Sequence, residues 1–134
     1  MPKVIDIEGV GPVYSEKLVA AGIKTVAALL KHGASKEGRK AIAEKTGIDE
    51  KVILSWVNFA DLYRVKGIGS EYSELLEKAG VDTVPELAQR RPENLHAKLV
   101  EVNTEKKLVR QLPSQKMVET WVAQAKTLPK VVTH

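Results

Sequence analysis

Apolar residues along this chain recur three and four positions apart. Nowhere do they alternate with polar ones as a half-buried strand requires. From Pro12 the pattern gives Tyr14, Leu18 and Ala21, at i, i+4 and i+7, which predicts one buried stripe on a first helix. Pro12 suits the first helical position, where no N–H is needed, and Gly22 supplies a left-handed stop. A short second helix is expected after Thr25, and a third from about Ser35 to Thr46, ended by Gly47. A fourth, capped by Asp49, carries Ile53, Trp56, Val57 and Ala60 on its inner face.

The same plan then starts again. Residues 7–30 and 65–88 align without gaps at an offset of 58, and 11 of 24 positions are identical, Gly9/Gly67, Gly11/Gly69, Tyr14/Tyr72 and Gly22/Gly80 among them. Such self-similarity is the mark of a duplicated structural unit. In the second copy the first helix opens at Ser70, turns Tyr72, Leu76 and Ala79 inward and stops at Gly80. Thr83 and Glu86 have capping-box spacing. A third helix from near Pro92 carries Leu95, Leu99 and Val102. A fourth, capped by Ser114, repeats Trp56 and its neighbours as Val118, Trp121, Val122 and Ala125, now at an offset of 65. The second copy therefore holds about seven extra residues, expected within 103–113. The reading is all-α: two tandem four-helix units in one compact domain over residues 1–134, with repeat 1 at 7–64 and repeat 2 at 65–130.

Each copy is opened by a Gly-x-Gly turn. Gly9-Val10-Gly11 and Gly67-Ile68-Gly69 are followed, at the same spacing, by a small residue (Ser15, Ser73) and an apolar one (Leu18, Leu76). Glycines permit backbone angles that other residues resist, so a β-branched residue at Gly69 is expected to disturb the turn. The apolar residue between the glycines plugs the turn into the core. The helix that follows presents unpaired N–H groups at its positive end, a ready place for an anion.

These strings match the helix-hairpin-helix pattern. With the repeated I-x-G-V/I-G-x-x-Y-S-E string and the Trp-Val helix, the chain resembles a bacterial domain-of-unknown-function family built on paired helix-hairpin-helix motifs. It is similar, more distantly, to helix-hairpin-helix domains of DNA repair and recombination proteins. The resemblance implies units of helix-hairpin-helix (SAM-like) type packed as a pseudo-two-fold pair. By analogy it implies weak binding of double-stranded DNA through Lys66, Gly67, Ile68, Gly69 and Ser70, with Gly9, Val10, Gly11 and Lys17 in the first copy. Hairpin 2 is the better candidate, since Pro12 removes one N–H from hairpin 1. Against it, Glu71, Glu74 and Glu77 line the next helix and repel a phosphate.

Charge does not decide the partner. The formal net charge is +4, with ten Lys/Arg against eight Asp/Glu in residues 1–64 and eleven against nine in residues 65–134. A mildly basic, mixed surface permits nucleic acid without demanding it, and a protein partner is the alternative. Cysteine is absent, which excludes disulfides and thiolate metal sites. His32, His96 and His134 share no metal-ligand spacing and read as surface residues. The segment Lys36 to Lys40 reads as a solvated helix start, and Trp56 and Trp121 as core rather than base-stacking platforms. No nucleophile with its base, phosphate loop or membrane-length apolar run is present, so no enzyme activity, cofactor or membrane association is expected. The expected setting is the cytoplasm.

Hairpin 1 has only eight residues before Gly9, too few for a helix like the one preceding hairpin 2. The C-terminal helix, 115–128, is therefore expected to pack on hairpin 1 and supply it, in the same chain or in a swapped dimer.

Overall fold

Local chemistry sets the ends of each helix. The computed structural model describes residues 2–134. Among them are eight α-helices and no strand. The helices are α1 (Pro12–Ala20), α2 (Val26–Gly33), α3 (Lys36–Thr46), α4 (Glu50–Leu62), α5 (Ser70–Lys78), α6 (Val84–Ala88), α7 (Pro92–Lys106) and α8 (Gln115–Ala125). Four side-chain caps hold their starts. Thr25 Oγ1 accepts the Ala28 N–H at 3.0 Å, Ser35 Oγ that of Gly38 at 3.0 Å, Asp49 Oδ1 that of Lys51 at 2.7 Å and Ser114 Oγ that of Met117 at 3.1 Å. The stops of α1 and α5 are identical. Ile23 N–H reaches Leu18 O and Gly22 N–H reaches Val19 O, at 2.9 Å each; Val81 and Gly80 repeat this on Leu76 O and Glu77 O at 2.9 and 3.0 Å. This is the paired closure that a left-handed residue after a helix permits. The expected capping box at Thr83 takes another form. The Thr83 hydroxyl donates to Glu86 Oε1 at 3.2 Å, and the Thr83 side chain accepts no backbone N–H of α6.

The chain divides into two compact units, 1–61 with 131–134, and 62–130. In the first, α2 and α3 pack together, and Leu18, Leu29, Ile53, Trp56 and Val57 are buried. In the second, α8 packs on α6 and α7, and α5 packs on α7. Its core includes Leu75, Leu76, Leu95, Leu99, Val118, Trp121 and Val122.

Several expectations need correction. The C-terminal helix serves its own copy. The ring of Trp121 lies 5.2 Å from that of Tyr72, and the face of Val118, Trp121, Val122 and Ala125 is already in the core of the second unit. Hairpin 1 is covered in the same way by α4, with Trp56 5.1 Å from Tyr14. Four helices suffice to bury one another, so the face that would have driven a swap is not free. What does return from the far end is the tail. Thr133 N–H bonds Ala34 O at 2.8 Å, and Arg39 donates to Thr133 O at 2.7 Å and to Gly33 O at 2.9 Å. Arg39 is thus buried, not part of a solvated helix start. Burial holds its pKa below the usual value, partly offset by Glu37 and Glu50.

The two first helices also differ in burial. Leu18 is buried, but Tyr14 is 38% exposed and Val13 66%, so the expected stripe of α1 is only partly covered. In α5, Ser73, Leu75 and Leu76 are all buried. Leu75 has Lys17 as its counterpart, which has to stay in water, and α5 lies against the long helix α7.

The extra residues of the second copy lengthen α7 and form the segment after it. Asn103 grips this segment from both sides, donating to Val109 O at 3.1 Å and accepting from Val109 N–H at 2.9 Å. The Tyr72 hydroxyl donates to Gln111 O at 3.0 Å. His96 Nε2 lies 3.0 Å from Pro113 O, so this histidine is half-buried and bonded rather than a plain surface residue.

Candidate functional site

The two Gly-x-Gly turns share one geometry. The first glycine has positive φ, +90° at Gly9 and +95° at Gly67. The second is extended, with φ −83° at Gly11 and −120° at Gly69. A side chain would therefore be strained at Gly67 and not at Gly69, where an added Cβ would meet open space. The middle residues Val10 and Ile68 are buried plugs, and their N–H groups are spent on Ile7 O at 3.0 Å and Val65 O at 3.1 Å. They have no donor to offer a ligand. Lys66 N–H is held by Gln124 Oε1 at 3.0 Å, so Lys66 can offer only its exposed ammonium.

The free donors lie one step later. Gly69 is the N-cap of α5 and carries no side chain to cap it. The first intrahelical acceptor is Gly69 O, reached by Ser73 N–H at 2.9 Å. The N–H groups of Ser70, Glu71 and Tyr72 precede that bond and point out of the helix start. They open on a cleft of about 460 Å³, lined also by Arg110 and Gln111. Arg110 was not legible as a site residue. It sits 40 positions from Ser70 and comes to the turn only because Asn103 and Tyr72 fix the extra segment. In the first unit, Pro12 occupies the position of Ser70 and lacks the N–H, and no insertion supplies an arginine. Lys17, on the last turn of α1, is exposed.

A second cleft, of about 350 Å³, lies between Gly67 and the start of α8. It is lined by Lys66, Lys116, Met117 and Trp121 among others. Among the described residues, no three His, Asp or Glu side chains cluster to hold a metal ion, and no helix is long and apolar enough to cross a membrane.

Residues 8–128 match a family model described as a domain of unknown function, DUF4332, and the chain belongs to that family. No match was found among curated proteins or among solved structures.

Proposed function

We propose that the chain is a non-enzymatic helix-hairpin-helix module. In this reading it binds the backbone of double-stranded DNA weakly and without sequence preference, through its second Gly-x-Gly turn. One observation carries the reading: α5 starts without a cap, and its free N–H groups share a cleft with Arg110. Backbone donors at a helix start, joined by a guanidinium, suit a phosphate oxygen. Glu71 stands at the same cleft and opposes an anion, which keeps the expected affinity low. Contacts of this kind read phosphates, not bases. A cytoplasmic setting fits a chain without cysteine.

The test is a fluorescence anisotropy titration of a short duplex at several salt concentrations. Dissociation constants on the order of 10⁻⁶ to 10⁻⁴ M at physiological salt are expected, weakening steeply as salt rises. Gly69→Asp gives α5 its own cap and a negative charge. It should abolish binding while leaving stability equal or a few tenths of a kcal/mol higher. Arg110→Glu should also abolish it. No binding at low salt would end this reading.

A protein partner is the second reading, and α1 favours it. Val13 and Val19 are 66% and 41% exposed there, where the second copy has Glu71 and Glu77. Partner capture lost in Val13→Glu, with DNA binding absent, would select it.

A further inference from the structure

Trp121 is 98% removed from solvent, at 2% exposure, yet its indole N–H has no hydrogen-bond partner among the described residues. Among the described residues the fully buried polar atom left unpaired is Asn58 Oδ1, not this nitrogen, so the indole N–H reaches the surface. Trp121 Nε1 lies 3.2 Å from where a Cβ on Gly67 would stand, and both residues line the cleft beside the start of α8. The N–H therefore faces that cleft across a position that glycine leaves bare.

Other donors meet it there. The cleft is lined by Lys66, whose backbone is tied to Gln124, and by Lys116 in the first turn of α8. Neither ammonium is in an ion pair among the described residues. Ser114 also lines the cleft, and its oxygen already accepts the Met117 N–H, so its hydroxyl proton is free to donate outward. Met117, 37% exposed, supplies an apolar wall. At about 350 Å³ the space far exceeds the roughly 30 Å³ share of one water molecule.

The first copy is an internal control. Trp56 Nε1 lies over Gly9 in the same manner, 3.5 Å from the position of a Cβ. The residues matching Lys66, Ser114 and Lys116 are Glu8, Asp49 and Lys51. Two cations and a hydroxyl in one unit correspond to two acids and one cation in the other. The duplicated framework has thus diverged in the charge it offers an indole donor.

We infer that the cleft of Lys66, Lys116, Ser114 and Trp121 binds a phosphate dianion, either free phosphate or a small phosphate monoester. Two ammonium point charges match a dianion better than the single charge of a carboxylate or a phosphodiester. Trp121 N–H and Ser114 O–H then direct its remaining oxygens, and an organic group would lie on Met117. This site is separate from the α5 start and does not depend on the DNA reading.

The experiment uses the full chain and follows the two indole N–H signals by NMR during titration with inorganic phosphate, a nucleoside monophosphate, acetate and a short duplex, at constant ionic strength. Phosphate or the monophosphate should shift the Trp121 signal saturably and leave that of Trp56 still. Tighter binding of the monophosphate assigns Met117 to an organic group, and equal binding assigns free phosphate. The shift should be lost in the surface variant Lys66→Glu/Lys116→Glu, whose fold is checked by its remaining spectrum. Movement of both indoles alike, an equal response to acetate, a response to duplex alone, or a shift that survives the double variant would each overturn the assignment. A Trp121 response to phosphate with no duplex binding would sink the DNA reading alone.

Discussion

The Trp121 indole nitrogen stands 3.2 Å from the point where Gly67 would carry a Cβ, and Gly67 has φ +95°. Backbone angle and close approach thus demand glycine at one position. Gly67→Ala should cost about 1–3 kcal/mol, the range for a non-glycine residue held in such a region. Gly69→Ala, at φ −120° and facing open space, should stay within about 0.5 kcal/mol. Urea unfolding of the two variants checks this, and equal losses would refute the assignment.

Trp56 and Trp121 are each 2% exposed and lie 5.1 and 5.2 Å from their partner tyrosine rings. Either Trp→Ala change should cost about 3–5 kcal/mol. A loss below about 1 kcal/mol at either position would contradict an anchoring role.

Arg39 binds the carbonyls of Gly33, Ala34 and Thr133. Arg39→Met keeps much of the stem and removes every donor. Stability should fall by about 1.5–3 kcal/mol, the scale of hydrogen bonds to a charged group. The Thr133 amide, bonded to Ala34 O at 2.8 Å, should exchange with solvent much faster. Unchanged protection at Thr133 would show that the tail holds without the arginine.

Asn103 clamps Val109 through two bonds, and Arg110 follows directly. Asn103→Ala should release this segment and speed tryptic cleavage after Arg110 before the cores of the units open. If DNA binds as proposed, the same variant should weaken binding although it touches neither Arg110 nor α5. Cleavage at the parent rate would show that the clamp is dispensable.

The sequence by itself determined the eight helices, their duplication and the burial of both tryptophans. Caps, stops and apolar spacing act within a few residues, and an ungapped repeat shows the same local solution twice. It also marked the Gly-x-Gly turns, but it could not say which glycine carries the positive φ. Nor could it show that an indole would stand above Gly67, from a residue 54 positions later. Only the tertiary structure decided that each fourth helix closes its own copy, that Arg39 lies inside and that Arg110 reaches the start of α5. Local pattern reports which side of a helix is apolar. It does not report which distant segment will cover that side, because several pairings bury similar area. Geometry then selects among them, through the fit of Trp121 on Tyr72 and of Arg39 among three carbonyls.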